Sequence, residues 1–270
     1  MKAVNFKNKY GMVIDLDKCT GCGACMVACC TENNLPALPD ESDKVRSITW
    51  IRIYRVDNGR PWPETQYSYF PRPCMHCDYH TPCVSVCPAN ATRKDENGGI
   101  VSQIYTRCIG CRYCMASCPY HARYFNWWDV SWPGDTPQML TPDVSPRMRG
   151  VVEKCTFCHH RMMKAKAKAA LEGRRDLEEG EWTPACVEAC PSQAMYFGDL
   201  NNPESVVAKL SKSANAFRLL ERIGTEPKVY YLSSKAWVRW WADNHYPGES
   251  KPTPAVHLMG HASHGHESHE

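Results

Sequence analysis

No stretch of this 270-residue chain approaches the ~18 consecutive apolar residues that a membrane-spanning helix needs, and its mean hydropathy is −0.51. An integral membrane protein is therefore not expected. Charge of one sign is scarce as well: 32 Lys and Arg stand against 29 Asp and Glu, a formal net charge of +3. The broad basic excess of a nucleic-acid binder is missing, so no nucleic-acid partner is expected. Met1 to Lys7 hold no apolar core, so no secretory signal is expected there, and no twin-arginine pair precedes the first cysteine group. A glycine-rich phosphate loop and a nucleophile–base constellation are both missing. The chain is not expected to be catalytic alone.

What is present in excess is cysteine: 17 residues, with 20 Pro and 9 Trp. Disulfides are a poor account of them. The number is odd, the chain is far longer than the small secreted scaffolds that need stapling, and the cysteines are bunched. Sixteen fall into four groups. Group one is Cys19, Cys22, Cys25 and Cys29. Group two is Cys74, Cys77, Cys83 and Cys87, followed by Pro88. Group three is Cys108, Cys111, Cys114 and Cys118, followed by Pro119. Group four is Cys155 and Cys158, then Cys186 and Cys190 with Pro191.

Groups one and three match the bacterial ferredoxin run C-x2-C-x2-C-x3-C. A cubane [4Fe–4S] cluster offers four irons at the corners of a tetrahedron. A short loop can reach three of them, and in two-cluster ferredoxins the fourth cysteine of each run ligates the other cluster. Gly21, Gly23 and Gly110, between ligands, would let the backbone come close and turn amide N–H groups to the cluster. Structural zinc is the competing use of C-x2-C pairs, but three cysteines in one loop plus a remote Cys-Pro suit a cluster better.

An internal repeat surrounds the fourth cysteines. Cys87-Pro-Ala-Asn-Ala91, Cys118-Pro-Tyr-His-Ala122 and Cys190-Pro-Ser-Gln-Ala194 share C-P-x-x-A, and two continue alike as Arg123-Tyr124-Phe125 and Met195-Tyr196-Phe197. Each is expected to turn into a short strand. In group one, Cys30 fills the proline slot and Asn33 replaces the alanine. Cys30 reads as a small packed residue, not a ligand.

Elsewhere, Gly11 to Asp17 read as a first strand. Residues 47–56 read as a strand ending in the turn signal Asp57-Asn58-Gly59, with Gln66 to Phe70 returning. A helix is expected from about Arg161 to Arg174, its basic face and the acidic run at 176–181 solvated. Pro203 to Ile223 read as one or two helices and Val229 to Leu232 as a strand. Trp127, Trp128 and Trp132 could sit in the core or at an interface. Trp237, Trp240 and Trp241 suggest burial against a neighbouring subunit. The histidines at 257, 261, 264, 266 and 269 mark a solvated tail.

From about residue 11 to 200 the four groups, in order and with the wide gap inside group four, resemble the four-cluster ferredoxin-type iron–sulfur subunit of the complex iron–sulfur molybdoenzyme family, as in dimethylsulfoxide, polysulfide, thiosulfate and nitrate reductases. Pro142 to Gly150 leading into Lys154-Cys155-Thr156-Phe157-Cys158 looks most like the quinone-linked members, menaquinone reductase (the Qrc type) and alternative complex III. The resemblance implies an α+β fold of two bacterial-ferredoxin-like two-cluster units, one inserted in the other, with hairpin and helical insertions and a C-terminal extension. Residues 1–45 plus 150–200 would form the first unit, 46–73 a β-hairpin insertion, 74–149 the second unit with an aromatic connector, 201–250 a docking region and 251–270 a His-rich tail.

The same resemblance implies four [4Fe–4S] clusters held through iron by sixteen cysteines. Cluster A takes Cys19, Cys22, Cys25 and Cys190; cluster B takes Cys155, Cys158, Cys186 and Cys29; cluster C takes Cys74, Cys77, Cys83 and Cys118; cluster D takes Cys108, Cys111, Cys114 and Cys87. It further implies a respiratory electron-transfer subunit peripheral to the membrane. A would face a large molybdopterin-oxidoreductase-like subunit or a multihaem cytochrome c, and D a polytopic quinone-binding membrane subunit. The expected place is the periplasmic face of the bacterial inner membrane, carried there by a twin-arginine-tagged partner; the cytoplasmic face is the alternative. The alternative function is a free-standing soluble polyferredoxin carrier, against which the slightly basic charge, the large insertions and the aromatic C-terminal region all argue.

Overall fold

The computed structural model describes residues 7–36, 48–95, 98–130, 132, 134–145 and 148–244, with the backbone of 256–258. In chain order its strands are β1 (Tyr10–Asp15), β2 (Arg52–Asp57), β3 (Tyr67–Arg72), β4 (Thr92–Lys94), β5 (Val101–Gln103), β6 (Tyr124–Phe125), β7 (Val152–Glu153), β8 (Met195–Asp199), β9 (Ala216–Phe217), β10 (Val229–Leu232) and β11 (Val256–Leu258). Its helices are α1 (Ala24–Glu32), α2 (Pro82–Ser85), α3 (Tyr113–Ala116), α4 (His159–Leu171), α5 (Ala185–Glu188), α6 (Val206–Ser211) and α7 (Ala236–Asn244).

The main sheet runs β8-β1-β10-β9. β1 pairs antiparallel with β8, placing Met12 opposite Phe197, and parallel with β10, placing Met12 opposite Val229. Its burial is almost unbroken along Tyr10 to Ile14, as a strand covered on both faces requires. The chain thus leaves β1 through group one and returns beside it, after group four, as β8. Everything between the two groups is enclosed by that pairing. Two small antiparallel ladders, β4–β5 and β6–β7, flank groups two and three. As the repeat implies, a strand follows each Cys-Pro turn: β4 after Cys87, β6 after Cys118 and β8 after Cys190.

The hairpin β2–β3 forms with Asp57 opposite Tyr67. Asn58-Gly59 therefore opens a longer loop instead of making a two-residue turn. Asn58 holds that loop, its side chain donating to the Glu64 carbonyl (2.9 Å) and accepting from the Gln66 amide (3.0 Å). Of the one or two helices expected through Pro203 to Ile223, α6 forms, with a single 3-10 turn at Glu221–Ile223. Phe217 and Leu219 are both buried, with Arg218 between them half-buried. That spacing of two suits a strand edge, and Phe217 pairs with Tyr231. Burial against another subunit is not needed to explain the C-terminal tryptophans as a group. Trp241 packs beside Phe70 in this chain's own core (5.4 Å between centroids), Trp237 donates to Gln66 on the hairpin (2.8 Å), and Trp240 is exposed. Trp127 and Trp128 are largely exposed. The His-rich tail lies outside the described residues apart from the backbone of β11, which pairs with β2.

Candidate iron–sulfur sites

None of the 17 cysteines is in a disulfide. The folded chain draws them into four gatherings. Cys19, Cys22, Cys25 and Cys190 are electrostatic neighbours. Cys29 has Cys155, Cys158 and Cys186 around it. Cys77 neighbours Cys74, Cys83 and Cys118. Cys87, Cys108, Cys111 and Cys114 line one pocket with Arg112, Thr92 and Val152. Each gathering mixes cysteines from two groups distant in sequence. Short helices bring this about. α1, carrying Cys25 and Cys29, packs on α5, carrying Cys186; α2, carrying Cys83, packs on α3, carrying Cys114.

The gatherings follow one another in a fixed order. Cys186 of the second has Cys25 of the first as a neighbour, Cys155 of the second has Cys74 of the third, and Cys114 of the fourth has Cys83 of the third. The middle two are the most enclosed, with Cys29, Cys74, Cys77, Cys83, Cys155, Cys158 and Cys186 all buried. At the ends, Cys22 and Cys111 are exposed.

The C-P-x-x-A repeat is an anion-binding turn. The alanine N–H four residues on donates to the cysteine sulfur: Ala91 to Cys87 at 3.2 Å and Ala194 to Cys190 at 3.3 Å, with Ala122 serving Cys118 likewise. The residue before each alanine is left-handed: Asn90, His121 and Gln193 have φ of 48°, 45° and 49°. The alanines are buried to 1%, 2% and 1% exposure, leaving no room for a larger side chain. Group one differs because α1 runs on through Cys30 to Glu32. There the Asn33 side chain supplies the donors, reaching Cys29 Sγ (3.7 Å) and Cys158 Sγ (3.8 Å). Cys30 is half-buried against the main core, as a packing residue would be.

The Gly21 N–H turns to the Cys19 sulfur, while the close approaches at Gly110 and Gly21 are to protein groups. A Cβ on Gly110 (φ +71°) would lie 2.3 Å from the Gly150 carbonyl oxygen, and one on Gly21 (φ +72°) would lie 2.6 Å from the Tyr69 ring. Gly23 needs only its backbone freedom, since nothing lies within 4 Å of its missing Cβ. We expect Gly110→Ala to cost about 2–3 kcal/mol and to loosen the Cys111 loop, whereas Gly23→Ala should cost about 1 kcal/mol. Parallel denaturant melts check the difference.

The chemistry of the donor sets fits an iron–sulfur cluster. Burial first, then the neighbouring thiols, push Cys25 up to about 12; burial followed by Cys74 does the same to Cys155, and Cys118 rises to about 11 by the same causes. Cys29 and Cys186 rise well above the ordinary thiol range for the same reasons. Such thiols ionise only when a cationic centre takes up their charge. Cys87 is the exception. Burial raises it, but the N–H groups of Thr92, Ala91 and Ala89 outweigh that and leave it lowered. Among the described residues, no three Cys, His, Asp or Glu side chains converge closely enough to hold a single ion. Thiols spread round a common space suit a cubane better than mononuclear zinc.

Arg161 clamps the second gathering from outside. Its Nε and Nη2 donate to Glu32 at the end of α1 (2.6 and 2.7 Å), while Nη1 donates to Glu188 on α5 (2.5 Å) and to the Thr183 carbonyl (3.1 Å). The Glu32 carboxyl lies below the usual carboxylate value of 4.5, held there chiefly by Arg161 and also by His160. Because its folded value is depressed, this contribution is complete above about 4.5 and is lost as pH falls through the lowered value. Arg161→Ala should cost about 1.5–3 kcal/mol and flatten the acid limb of a melting-temperature profile.

Several polar residues at the sites were not singled out by the sequence. Lys154 is fully buried and donates to the carbonyls of Val101 and Cys155 (2.7 Å to the latter). His76 is fully buried and stacked on Phe157 (3.7 Å between centroids) where the loops of Cys74–Cys77 and Cys155–Cys158 meet. Arg123 is buried between Cys83 and Cys114. Two of them left a trace: Lys154 opens the motif at Cys155, and the repeat has Met195 at the counterpart of Arg123.

These features define a ferredoxin-type iron–sulfur protein, and comparison with known proteins agrees. A 4Fe-4S dicluster domain model matches residues 65–133 and a 4Fe-4S binding domain model residues 10–29. The chain is 62% identical over 246 residues to the menaquinone reductase iron–sulfur cluster-binding subunit of Nitratidesulfovibrio vulgaris, covering 90% of this chain and 96% of that one. It is 37% identical to the arsenate respiratory reductase iron–sulfur subunit of a Shewanella species, covering 84% and 97% respectively. It is 34% identical to Protein NrfC of Escherichia coli K12, covering 84% and 82%. The chain belongs to the family of iron–sulfur electron-transfer subunits of the dimethylsulfoxide reductase and NrfC type.

Proposed function

We propose that this chain carries four [4Fe–4S] clusters, A to D, on the sixteen cysteines in the sets given above, and that it conducts electrons along them as a subunit of a menaquinone-reductase-like complex. The observation that carries this reading is the series of electrostatic neighbours Cys25–Cys186, Cys155–Cys74 and Cys83–Cys114, capped by the exposed Cys22 and Cys111. When bound, each cluster supplies a one-electron couple whose potential depends on charge and hydrogen bonds at its sulfurs. The protein's part is to space the sets, exclude water from B and C, and direct N–H groups at the ligands.

The fold follows as two ferredoxin-like units, the second inserted in the first. The β1–β8 pairing supports the outer unit, and the α2–α3 contact with the β4–β5 and β6–β7 ladders supports the inner one. We assign end A to a molybdopterin-type or cytochrome c-linked partner and end D to a quinone-binding membrane subunit. Around Cys111 the surface exposes Ile109, Tyr113, Trp127 and Trp128, a composition suited to burial against another protein. The similarity to a menaquinone reductase subunit supports the quinone link. We further propose the periplasmic face of the inner membrane.

Purification of the native complex from detergent-solubilised membranes tests the assignment. A large molybdopterin-type subunit or a multihaem cytochrome, together with a multi-helix membrane protein, should accompany the chain; recovery of the chain alone would contradict it. Protease should reach the chain in intact spheroplasts if the placement is right. Cys30→Ala should keep the full iron content.

A further inference from the structure

Resting on the ligand sets proposed above, we propose that Arg123 is a potential-setting residue shared by sites C and D, one permanent positive charge that raises both one-electron couples together. Arg123 is 4% exposed, and its guanidinium lies beside Cys83 of set C and Cys114 of set D, with Cys74 next. Nη1 donates to Gln103 Oε1 at 3.1 Å. Nε and Nη2 are buried and meet no oxygen or nitrogen acceptor; the groups that face the guanidinium are the Cys83 and Cys114 sulfurs. A buried guanidinium whose remaining donors meet only sulfur is costly unless those sulfurs are anionic, and it cannot shed its charge. The anions within reach are the thiolates, and the sulfides, of the two clusters.

The orientation of the fork is fixed independently of any cluster. Gln103 Oε1 also accepts from Thr92 Oγ1 (2.7 Å), and the Thr92 amide lies 3.4 Å from Cys87 Sγ, the remote ligand of set D. A polar chain therefore runs from Cys83 through Arg123, Gln103 and Thr92 to Cys87. The A and B sites have no counterpart of the cation at this point of the repeat, where Met195 stands instead. Positive charge near a cluster and hydrogen bonds to its sulfurs raise its potential. One electron moving from C to D oxidises the first and reduces the second without moving a proton on Arg123, so a cation that raises both couples equally leaves the driving force between them unchanged.

The test is a redox titration of the purified complex followed by EPR, comparing wild type with Arg123→Met, with iron counted in both. In the variant the iron content should hold. At a fixed ambient potential the reduced-to-oxidised ratios of C and D should each fall about tenfold, equivalent to about 59 mV for a one-electron couple, while A and B stay in place. Unmoved C and D, or movement of only one, would overturn the proposal. Should Arg123→Met not retain its clusters, native complex made with guanidino-15N-arginine decides. Pulsed EPR is expected to show nitrogen coupling at both C and D, and its absence at either would overturn the proposal. A low iron count in the wild type would instead refute the ligand sets.

Discussion

Cys111→Ser is expected to destroy one cluster and spare three. Cys111 is exposed at the end of the series, and its loop is held by the left-handed Gly110 and Arg112. Serine replaces a soft thiolate with a weaker, harder ligand. The iron lost should not exceed about a quarter of the total, and the signals of A, B and C should persist in an EPR titration. Electron passage to or from quinone should fall to background, because the surface formed by Ile109, Tyr113 and Trp127 would lie over an empty or damaged site. Loss of the A or B signals instead would mean that the sets are paired differently.

The second large effect separates crosswise sharing from local sharing. Cys190 lies four residues after Cys186, yet its electrostatic neighbours are Cys19 and Cys25, while Cys186 has Cys158 and Cys155. Cys190→Ser should therefore damage the cluster of the N-terminal loop and leave intact the cluster that Cys186 serves. Iron should again fall by about a quarter at most, and the electron path from end A should close while D still exchanges electrons with quinone. Damage to the Cys155–Cys158–Cys186 site would sink the crosswise account.

The two variants probe different parts of what the sequence allowed. The ligand runs were legible because cluster chemistry demands cysteine at tight spacing. The C-P-x-x-A repeat was legible as a pattern, although its cause, an N–H aimed at sulfur from behind a left-handed residue, shows only in the folded chain. Which remote cysteine completes which set could not be read from spacing alone; it depends on α1 meeting α5 and α2 meeting α3. The strand at Ala216–Phe217 was missed because Leu219, Leu220 and Ile223 mimic a helical face. The main sheet overrode that pattern by burying Phe217 against Tyr231 (5.9 Å between centroids). The C-terminal tryptophans were assigned to a partner because nothing local shows that β10 enters the middle of the sheet and draws α7 onto the hairpin. The buried cations were the hardest to find. An isolated Lys or Arg in sequence reads as surface; Lys154 stands in the motif that runs to Cys158 without a sign of its burial, and the mismatch between Arg123 and Met195 within a shared repeat is the only mark of Arg123.

Direct analysis of iron and acid-labile sulfide in the anaerobically isolated complex, expressed per copy of this chain after subtracting the partners' metals, tests the central claim most directly. The account predicts about sixteen of each, with no stoichiometric zinc. A count nearer eight, or a colourless zinc-loaded chain, would contradict it.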